Sequence, residues 1–254
     1  MIDLHCHILP GVDDGPDDLR QSIEMAKVAS KDGVRKIVAT PHHHTSKFTN
    51  PKSIIVEKVK ELNEALQAES IPIEVLSGQE VRLFGELIQE FEENQIATVN
   101  NYQYVLIEFP SNHVPSYAER MFYEIQMKGL TPIIVHPERN SQIIENPEKL
   151  FHLVEKGALS QITAASITGS FGKKLQKFCF QLIESNLTHV IASDAHNTTT
   201  RSFHLTEAYD VIEEKFGIEK VYTLKENAEL IIQGQPVYKD YPEVIKKKKF
   251  LGLF

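Results

Sequence analysis

The 254-residue chain has few cysteines and no apolar run long enough to span a bilayer. Its only thiols are those of Cys6 and Cys179. The chain also lacks a charged stretch followed by an apolar one at its start, which a secretory signal would show. We therefore expect a soluble protein of the reducing cytoplasm, without structural disulfides.

The sequence also lacks the arginine that accompanies a nucleophilic cysteine in cysteine-based phosphatases. Phosphatases that use a cysteine nucleophile place, as a family, an arginine six positions after that cysteine. Here Val12 follows Cys6 at that spacing, and Ser185 follows Cys179. We expect both thiols to serve packing, which is the common fate of a free cysteine.

Positive charge is scarce, since the formal net charge is −8. A surface that binds nucleic acid broadly needs clustered Lys and Arg, so we predict no nucleic-acid partner, although a local site could hold one phosphate. The exception lies in a basic and apolar tail at 240–254, where four lysines at 246–249 precede Phe-Leu-Gly-Leu-Phe. This tail is either solvated or makes a weak contact with an anionic membrane surface, worth roughly 1 kcal/mol per Lys.

Short apolar runs alternate with longer amphipathic ones along the chain, without a linker, repeat or break in composition. Regular alternation of strand and helix predicts parallel strands with right-handed crossovers, here in one domain over 1–254. The predicted strands are 2–5, 37–40, 73–76, 104–108, 132–136, 161–164 and 190–193. The predicted helices are 19–31, 51–68, 86–93, 117–128, 148–156, 172–185 and 204–215.

Metal-binding side chains fall at or just past the carboxyl ends of these strands. Barrel enzymes assemble their sites at that face, and a polynuclear centre needs several N and O donors that converge from different directions. The pairs His5-x-His7 and Asp194-x-His196 open and close the series, with period-two spacing that lets both side chains of a pair reach one ion. The other residues at strand ends are His42, Glu80, Glu108 and His136.

The loop at 11–16 carries Asp13 and Asp14. Asp14 is a candidate ligand, but the spacing alone is equally compatible with a turn that precedes and caps a helix.

In sequence order the motifs are D-L-H-C-H, G-x-D-D-G-P, T-P-H-H, a Glu at 80, I-E-F, H-P-E-R and S-D-A-H. Together they resemble the PHP (polymerase and histidinol phosphatase) superfamily. They are most similar to the manganese-dependent tyrosine-protein phosphatases of Gram-positive bacteria that act on capsule and exopolysaccharide kinases. The resemblance runs from residue 1 to about residue 201 and implies a distorted seven-stranded (β/α) barrel.

The resemblance also implies three divalent ions, with Mn as the expected metal and Fe, Zn or Mg as alternatives. Glu80 would bridge two of them. The implied ligand sets are His5, His7, Glu80 and Asp194; Glu80, Glu108 and His136; and Asp14, His42 and His196.

Hydrolysis of a phosphomonoester needs a nucleophilic oxygen at neutral pH, which a metal-bound hydroxide supplies. Charge on the phosphoryl oxygens also calls for a planar cation with forked donors, which favours arginine over lysine. Arg139, three residues after His136, is the first candidate. Arg201 is the second, and its position is equally compatible with a solvated residue at the start of a helix. A tyrosinate leaving group lowers the need for a general acid, and the sequence singles none out.

Three functions remain open. The first is a protein-tyrosine phosphatase that regulates exopolysaccharide or capsule synthesis, with the phosphotyrosine-bearing tail of a bacterial tyrosine kinase as its partner. The second is a small-molecule phosphatase of the histidinol-phosphatase type, because the same metal chemistry serves either substrate. The third is a non-catalytic metal-binding module, against which nine intact candidate ligands argue.

Overall fold

The computed structural model describes residues 1–245. The lysine run at 246–249 and the apolar residues after it lie outside the described residues, so the prediction for the tail stays a prediction. Among the residues described, no helix combines the length and the apolar character that a bilayer crossing requires.

The structure alternates parallel strands with helices, as the sequence predicts. The strands are β1 Ile2–Cys6, β2 Lys36–Ala39, β3 His42–His43, β4 Glu74–Ser77, β5 Glu80–Arg82, β6 Tyr104–Glu108, β7 Thr131–Val135, β8 Leu159–Thr163 and β9 Val190–Ala192. The helices are α1 Leu19–Lys31, α2 Lys52–Ala68, α3 Leu87–Glu92, α4 Ala118–Met127, α5 Ser141–Glu145, α6 Glu148–Glu155, α7 Ala164–Thr168, α8 Lys173–Glu184, α9 Leu205–Phe216 and α10 Ile218–Ile232.

All strand pairs are parallel and form two sheets. One has the order β1-β2-β4 and the other β3-β5-β6-β7-β8-β9. Only residues 40–41 separate β2 from β3, and residues 78–79 separate β4 from β5, so the chain passes from one sheet to the other within a single extended segment. A parallel bridge between Cys6 and Ala195 links β1 to the chain just after β9.

Each predicted strand is present, with 104–108 matched at both ends and the other bounds shifted by at most two residues. The predicted count of seven is not confirmed, because the described residues contain nine strands. The two additional strands, β3 and β5, are two and three residues long and start at the candidate ligands His42 and Glu80. Helices α5, α7 and α10 are also additional to the prediction.

The strands are buried on both faces, which is the usual state of parallel strands. One face packs in a large apolar cluster with the helices, as Ile107 and Ile134 do. The other face forms a smaller cluster in which Leu106 and Val135 meet Ile231 of α10. Helix α10 therefore packs against the inner side of the sheets and continues the core beyond the alternating pattern.

Candidate metal centre

The nine predicted ligands form one connected set of polar side chains, which we call the ligand cluster. Every member has a ring nitrogen or carboxylate oxygen within 3.8 Å of another member. They come from chain segments as distant as β1 and the loop after β9, which the parallel strand order brings to one edge of the sheets. The cluster comprises His5, His7, Asp14, His42, Glu80, Glu108, His136, Asp194 and His196.

Glu80 lies at the centre of the ligand cluster and is fully buried. Its Oε2 atom is 3.6 Å from His5 Nε2, 3.3 Å from His7 Nε2 and 2.7 Å from His42 Nδ1. Its Oε1 atom pairs with His136 Nε2 at 2.7 Å. One carboxylate thus faces four imidazoles from three segments of the chain, and this is the geometry a bridging ligand needs.

Asp194 is the second buried carboxylate of the cluster. Its Oδ1 atom is 3.5 Å from His5 Nε2 and 3.4 Å from His7 Nε2. Its Oδ2 atom accepts hydrogen bonds from Arg139 and, at 3.0 Å, from Arg201. The backbone of Asp194 is left-handed, with φ of 53°, a conformation that costs free energy in a non-glycine residue and is found preferentially at functional sites.

The outermost carboxylate is that of Asp14, whose side chain is 45 % exposed. Its Oδ1 atom is 3.2 Å from His196 Nε2 and 3.5 Å from His42 Nε2. Arg201 Nη1 lies 3.5 Å from its Oδ2 atom. Arg139 and Arg201 are each about one-third exposed, so both guanidinium groups reach the edge of the cluster that solvent can enter.

The donor atoms fit divalent cations. Three overlapping groups have ligand atoms within 4.8 Å of one another: His7, Asp14, His42 and His196; His5, His7 and Glu80; and His42, Glu80 and Glu108. Inside these groups His42 Nδ1, Glu80 Oε2 and His196 Nε2 are buried and make no hydrogen bond of good angular geometry, although His42 Nδ1 and Glu80 Oε2 lie only 2.7 Å apart. Buried polar atoms normally make hydrogen bonds, so three converging atoms without one are donors of the kind that a divalent cation would bind.

Three details of the grouping differ from the predicted ligand sets, one being that Asp194 belongs to none of the three groups. His7 lies with the Asp14 group as well as with His5, and His42 rather than His136 completes the group of Glu80 and Glu108. His136 instead bonds directly to Glu80. Which ligand serves which ion therefore stays a prediction.

Charge within the cluster shifts the proton affinity of its members. Burial and the neighbouring Glu80 charge raise the pKa of Glu108 to about 7, against an opposing effect of Arg82. Burial and the nearby Arg139 lower the pKa of His136 to about 4. Burial and the neighbouring His7 likewise lower the pKa of His196 to about 4. A lowered pKa favours the neutral imidazole, the form that binds metal, at His136 and His196, whereas nearby carboxylates outweigh burial and raise the pKa of His5, His7 and His42.

Three further residues orient the ligands and were not predicted. Asp13 Oδ2 bonds to His7 Nδ1 at 2.6 Å and to the backbone N–H of His42 at 3.1 Å. Gln161 Oε1 bonds to His5 Nδ1 at 2.9 Å, and Arg82 binds Glu108 Oε2 through Nε at 2.9 Å and Nη2 at 2.8 Å. Such partners fix the ring orientation of a ligand. Period-two spacing from Glu80 on one strand could have identified Arg82, whereas nothing in the sequence marks Gln161.

Neither thiol is placed for catalysis. Cys6 is fully buried, and its Sγ donates to the carbonyl of Ala195 at 3.5 Å. Burial raises the pKa of the Cys6 thiol well above its usual range and that of Cys179 likewise. A thiolate nucleophile is therefore disfavoured at both positions.

Comparison with known proteins identifies close relatives along the whole chain. Residues 1–233 match the family model described as capsular polysaccharide synthesis, CpsB/CapC. The chain is 50 % identical over 254 residues to tyrosine-protein phosphatase YwqE of Bacillus subtilis, with 100 % of both chains covered. It is 31 % identical over 241 residues to tyrosine-protein phosphatase CpsB of Streptococcus pneumoniae, which covers 92 % of this chain and 99 % of that protein.

A solved structure agrees closely with the fold. A chain from the crystal structures of YwqE from Bacillus subtilis and CpsB from Streptococcus pneumoniae, described as unique metal-dependent tyrosine phosphatases, superposes with a TM-score of 0.95. That match is 51 % identical and covers 97 % of this chain and 100 % of the other. A mutant organophosphorus hydrolase superposes with a TM-score of 0.57 at 12 % identity, which shows likeness of fold alone.

Proposed function

Because the chain belongs to the CpsB/CapC family of capsular polysaccharide synthesis proteins, we propose that it is a metal-dependent phosphatase that hydrolyses phosphotyrosine on proteins. It would regulate capsule or exopolysaccharide synthesis through this activity. The observation that carries the proposal is the ligand cluster, in which buried, orphaned donor atoms converge beside two arginines. Burying polar atoms without hydrogen bonds costs free energy, and a bound metal ion would offset that cost.

We assign nine residues to three divalent ions, with Mn as the expected metal. Glu80 is the bridging ligand, supported by the contacts of its two oxygens with four imidazoles. The bound ions would supply Lewis-acid chemistry, which acidifies a water molecule and neutralises charge on phosphoryl oxygens. The remaining ligands are His5, His7, Asp14, His42, Glu108, His136, Asp194 and His196.

Arg139 and Arg201 orient the phosphate. Both bind the same oxygen of Asp194, and both keep about one-third of the side chain exposed at the cluster edge. Their forked N–H donors match the oxygens of a tetrahedral phosphate and stabilise the charge that develops there during transfer. The shared Asp194 oxygen holds the two guanidinium groups together before substrate arrives.

The physiological substrate we propose is the phosphotyrosine-bearing tail of a bacterial tyrosine kinase. The reaction would take place in the cytoplasm. The exposed Asp14 and the two partly exposed arginines support a site that a flexible peptide can enter. The basic tail at 240–254 would then add a weak membrane contact.

We also propose that the strands form a distorted seven-stranded (β/α) barrel. We regard the pairs β2/β3 and β4/β5 as two interrupted strands, which gives seven strand positions in a distorted barrel of one domain. The bridge between Cys6 and Ala195 supports closure of that barrel.

The direct test compares substrates. Metal-loaded protein should hydrolyse phosphotyrosine peptides faster than phosphoserine peptides of the same sequence and faster than histidinol phosphate at matched concentration. If histidinol phosphate gives a kcat/KM at least about tenfold, or 1.4 kcal/mol, above every phosphotyrosine peptide, the small-molecule alternative replaces this proposal. Metal uptake without hydrolysis of any phosphomonoester would indicate the non-catalytic module.

A further inference from the structure

Phe48 brings an aromatic ring to the ligand cluster. Its ring lies 6.1 Å from that of His42, centroid to centroid, and the two planes differ by 10°. Among residues 1–245 no other Phe or Tyr ring makes such a contact with a candidate ligand imidazole. Phe48 is also half-buried, so part of its ring remains in solvent beside the metal site.

The chain holds Phe48 in a short, well-bonded turn. The backbone N–H of Thr45 donates to the carbonyl of Phe48 at 3.1 Å, and the N–H of Phe48 donates to Thr45 Oγ1 at 2.9 Å. Two residues on, Asn50 Nδ2 donates to the carbonyls of His42 at 2.8 Å and Val12 at 2.9 Å. The turn is thereby fixed both to the strand that carries His42 and to the loop that carries Asp14.

A second aromatic pair close by has a shorter distance between its ring centroids. His44 and Phe84 stack at 3.7 Å with planes 8° apart. The rings of His42 and Phe48 are as nearly parallel, but their centroids are 2.4 Å farther apart, which is the difference between 6.1 Å and 3.7 Å. Phe48 therefore covers His42 only at an offset, and because the residue is half-buried, part of its ring surface remains available to another aromatic group.

We propose that Phe48, placed beside His42 by the Thr45 turn, forms an aryl-binding subsite that receives the phenyl ring of phosphotyrosine. This inference rests on the proposed function and adds a residue that selects the substrate class. A phenyl ring begins at the bridging oxygen of the phosphoester and must lie close to any phosphate held at the cluster edge. Phosphoserine presents only a methylene group there and has no ring to stack.

A pair of non-hydrolysable phosphonates isolates this contact from catalysis. Binding of phenylphosphonate and of methylphosphonate to the Mn-loaded protein is measured by calorimetry, with metal content recorded for each variant. Phe48→Ala should weaken phenylphosphonate by about three- to tenfold and leave methylphosphonate unchanged, because an aromatic pair contributes only a modest free energy beyond area burial. Phe48→Tyr should retain the preference for the phenyl ligand, and Phe48→Leu should lie between Ala and the unmodified protein.

Phe171→Ala is the matched control, because Phe171 is 44 % exposed and lines a cavity with Ile144 and Phe178 that contains no candidate ligand. It should change neither affinity. The inference is wrong if Phe48→Ala and Phe48→Leu weaken both phosphonates in parallel, which would mean that Phe48 only supports His42, or if neither affinity changes. Failure of the proposed function would differ, since phosphotyrosine peptides would then not be hydrolysed even by the unmodified protein.

Discussion

Two buried polar clusters lie at opposite ends of the strands and differ in how their atoms are paired. At the carboxyl ends, the ligand cluster leaves nitrogen and oxygen atoms of His42, Glu80 and His196 orphaned. At the amino ends of β8 and β9, a second cluster consists of Ser160, His189 and Asn227, which we call the His189 cluster. Within the described residues, none of its buried side-chain atoms lacks a hydrogen-bond partner.

The bonds of the His189 cluster run mostly to the backbone. Asn227 Nδ2 donates to the carbonyls of His189 and Tyr238, each at 2.9 Å, and Asn227 Oδ1 accepts from the Tyr238 N–H at 2.8 Å. The N–H of Ser160 donates to His189 Nδ1 at 3.1 Å. A polar group satisfied in this way stabilises the fold, whereas converging unsatisfied atoms indicate a ligand.

The largest effect is expected for a substitution of Glu80 in the ligand cluster. Glu80→Gln removes the charge that faces the imidazoles of His5, His7 and His42 while keeping the side-chain shape. We expect loss of bound metal and a fall in phosphotyrosine hydrolysis of about a thousandfold or more, since the metal chemistry is lost with the bridge. Elemental analysis and kcat/KM measure the two effects. A variant with full metal content and near-normal activity would contradict the bridging role.

The next largest effect separates metal binding from phosphate orientation. Arg139→Ala should keep its metal and lose about 100-fold or more in kcat, by analogy with removal of one donor to a developing anion. Arg120→Ala is the matched control, because Arg120 is an exposed arginine on α4 that pairs with Glu124. If Arg139→Ala instead loses metal in proportion to activity, Arg139 supports Asp194 rather than the substrate.

A moderate effect is expected in the His189 cluster. Asn227→Ala leaves the Tyr238 N–H and the His189 carbonyl without their partners, which should destabilise the protein by about 1–3 kcal/mol. Metal content and kcat/KM should stay unchanged below the melting temperature. Urea unfolding of the variant and the unmodified protein, both metal-loaded, measures the difference. A specific loss of metal would show that the two clusters are coupled.

The smallest effect is expected for Cys6→Ser. The serine hydroxyl can donate to the Ala195 carbonyl as the thiol does, and the nucleophile does not come from this residue. Activity should stay within about twofold of the unmodified protein. A folded, metal-loaded but inactive variant would revive a thiol mechanism.

The sequence predicted which side chains lie close together better than it predicted the number and bounds of the strands that carry them. His5, His136 and Asp194 follow apolar runs in the sequence, and parallel strands bring such positions together whatever the strand bounds. Strands β3 and β5 were missed because two or three residues are too short to show a period. Helix α10 was missed because it follows α9 without an intervening strand, so the alternating pattern does not call for it.

Pairing between side chains is what the sequence could not supply. Asp13 and Asp14 are adjacent, yet Asp13 orients His7 while Asp14 faces His42 and His196. Residue type and spacing are the same for both, and only the turn geometry separates them. The His189 cluster likewise joins Ser160 of β8, His189 just before β9 and Asn227 of α10. No local sequence pattern predicts these hydrogen bonds.

In this proposal the ligand cluster holds several ions, and hydrolysis depends on them. The most direct measurement is metal content by elemental analysis of protein purified without chelator, with phosphotyrosine peptide hydrolysis followed in the same samples before chelation, after chelation and during titration with Mn²⁺. We predict more than one equivalent of metal per chain at the start, loss of activity with the chelator, and recovery that follows metal uptake. A fully active preparation free of metal would contradict the account.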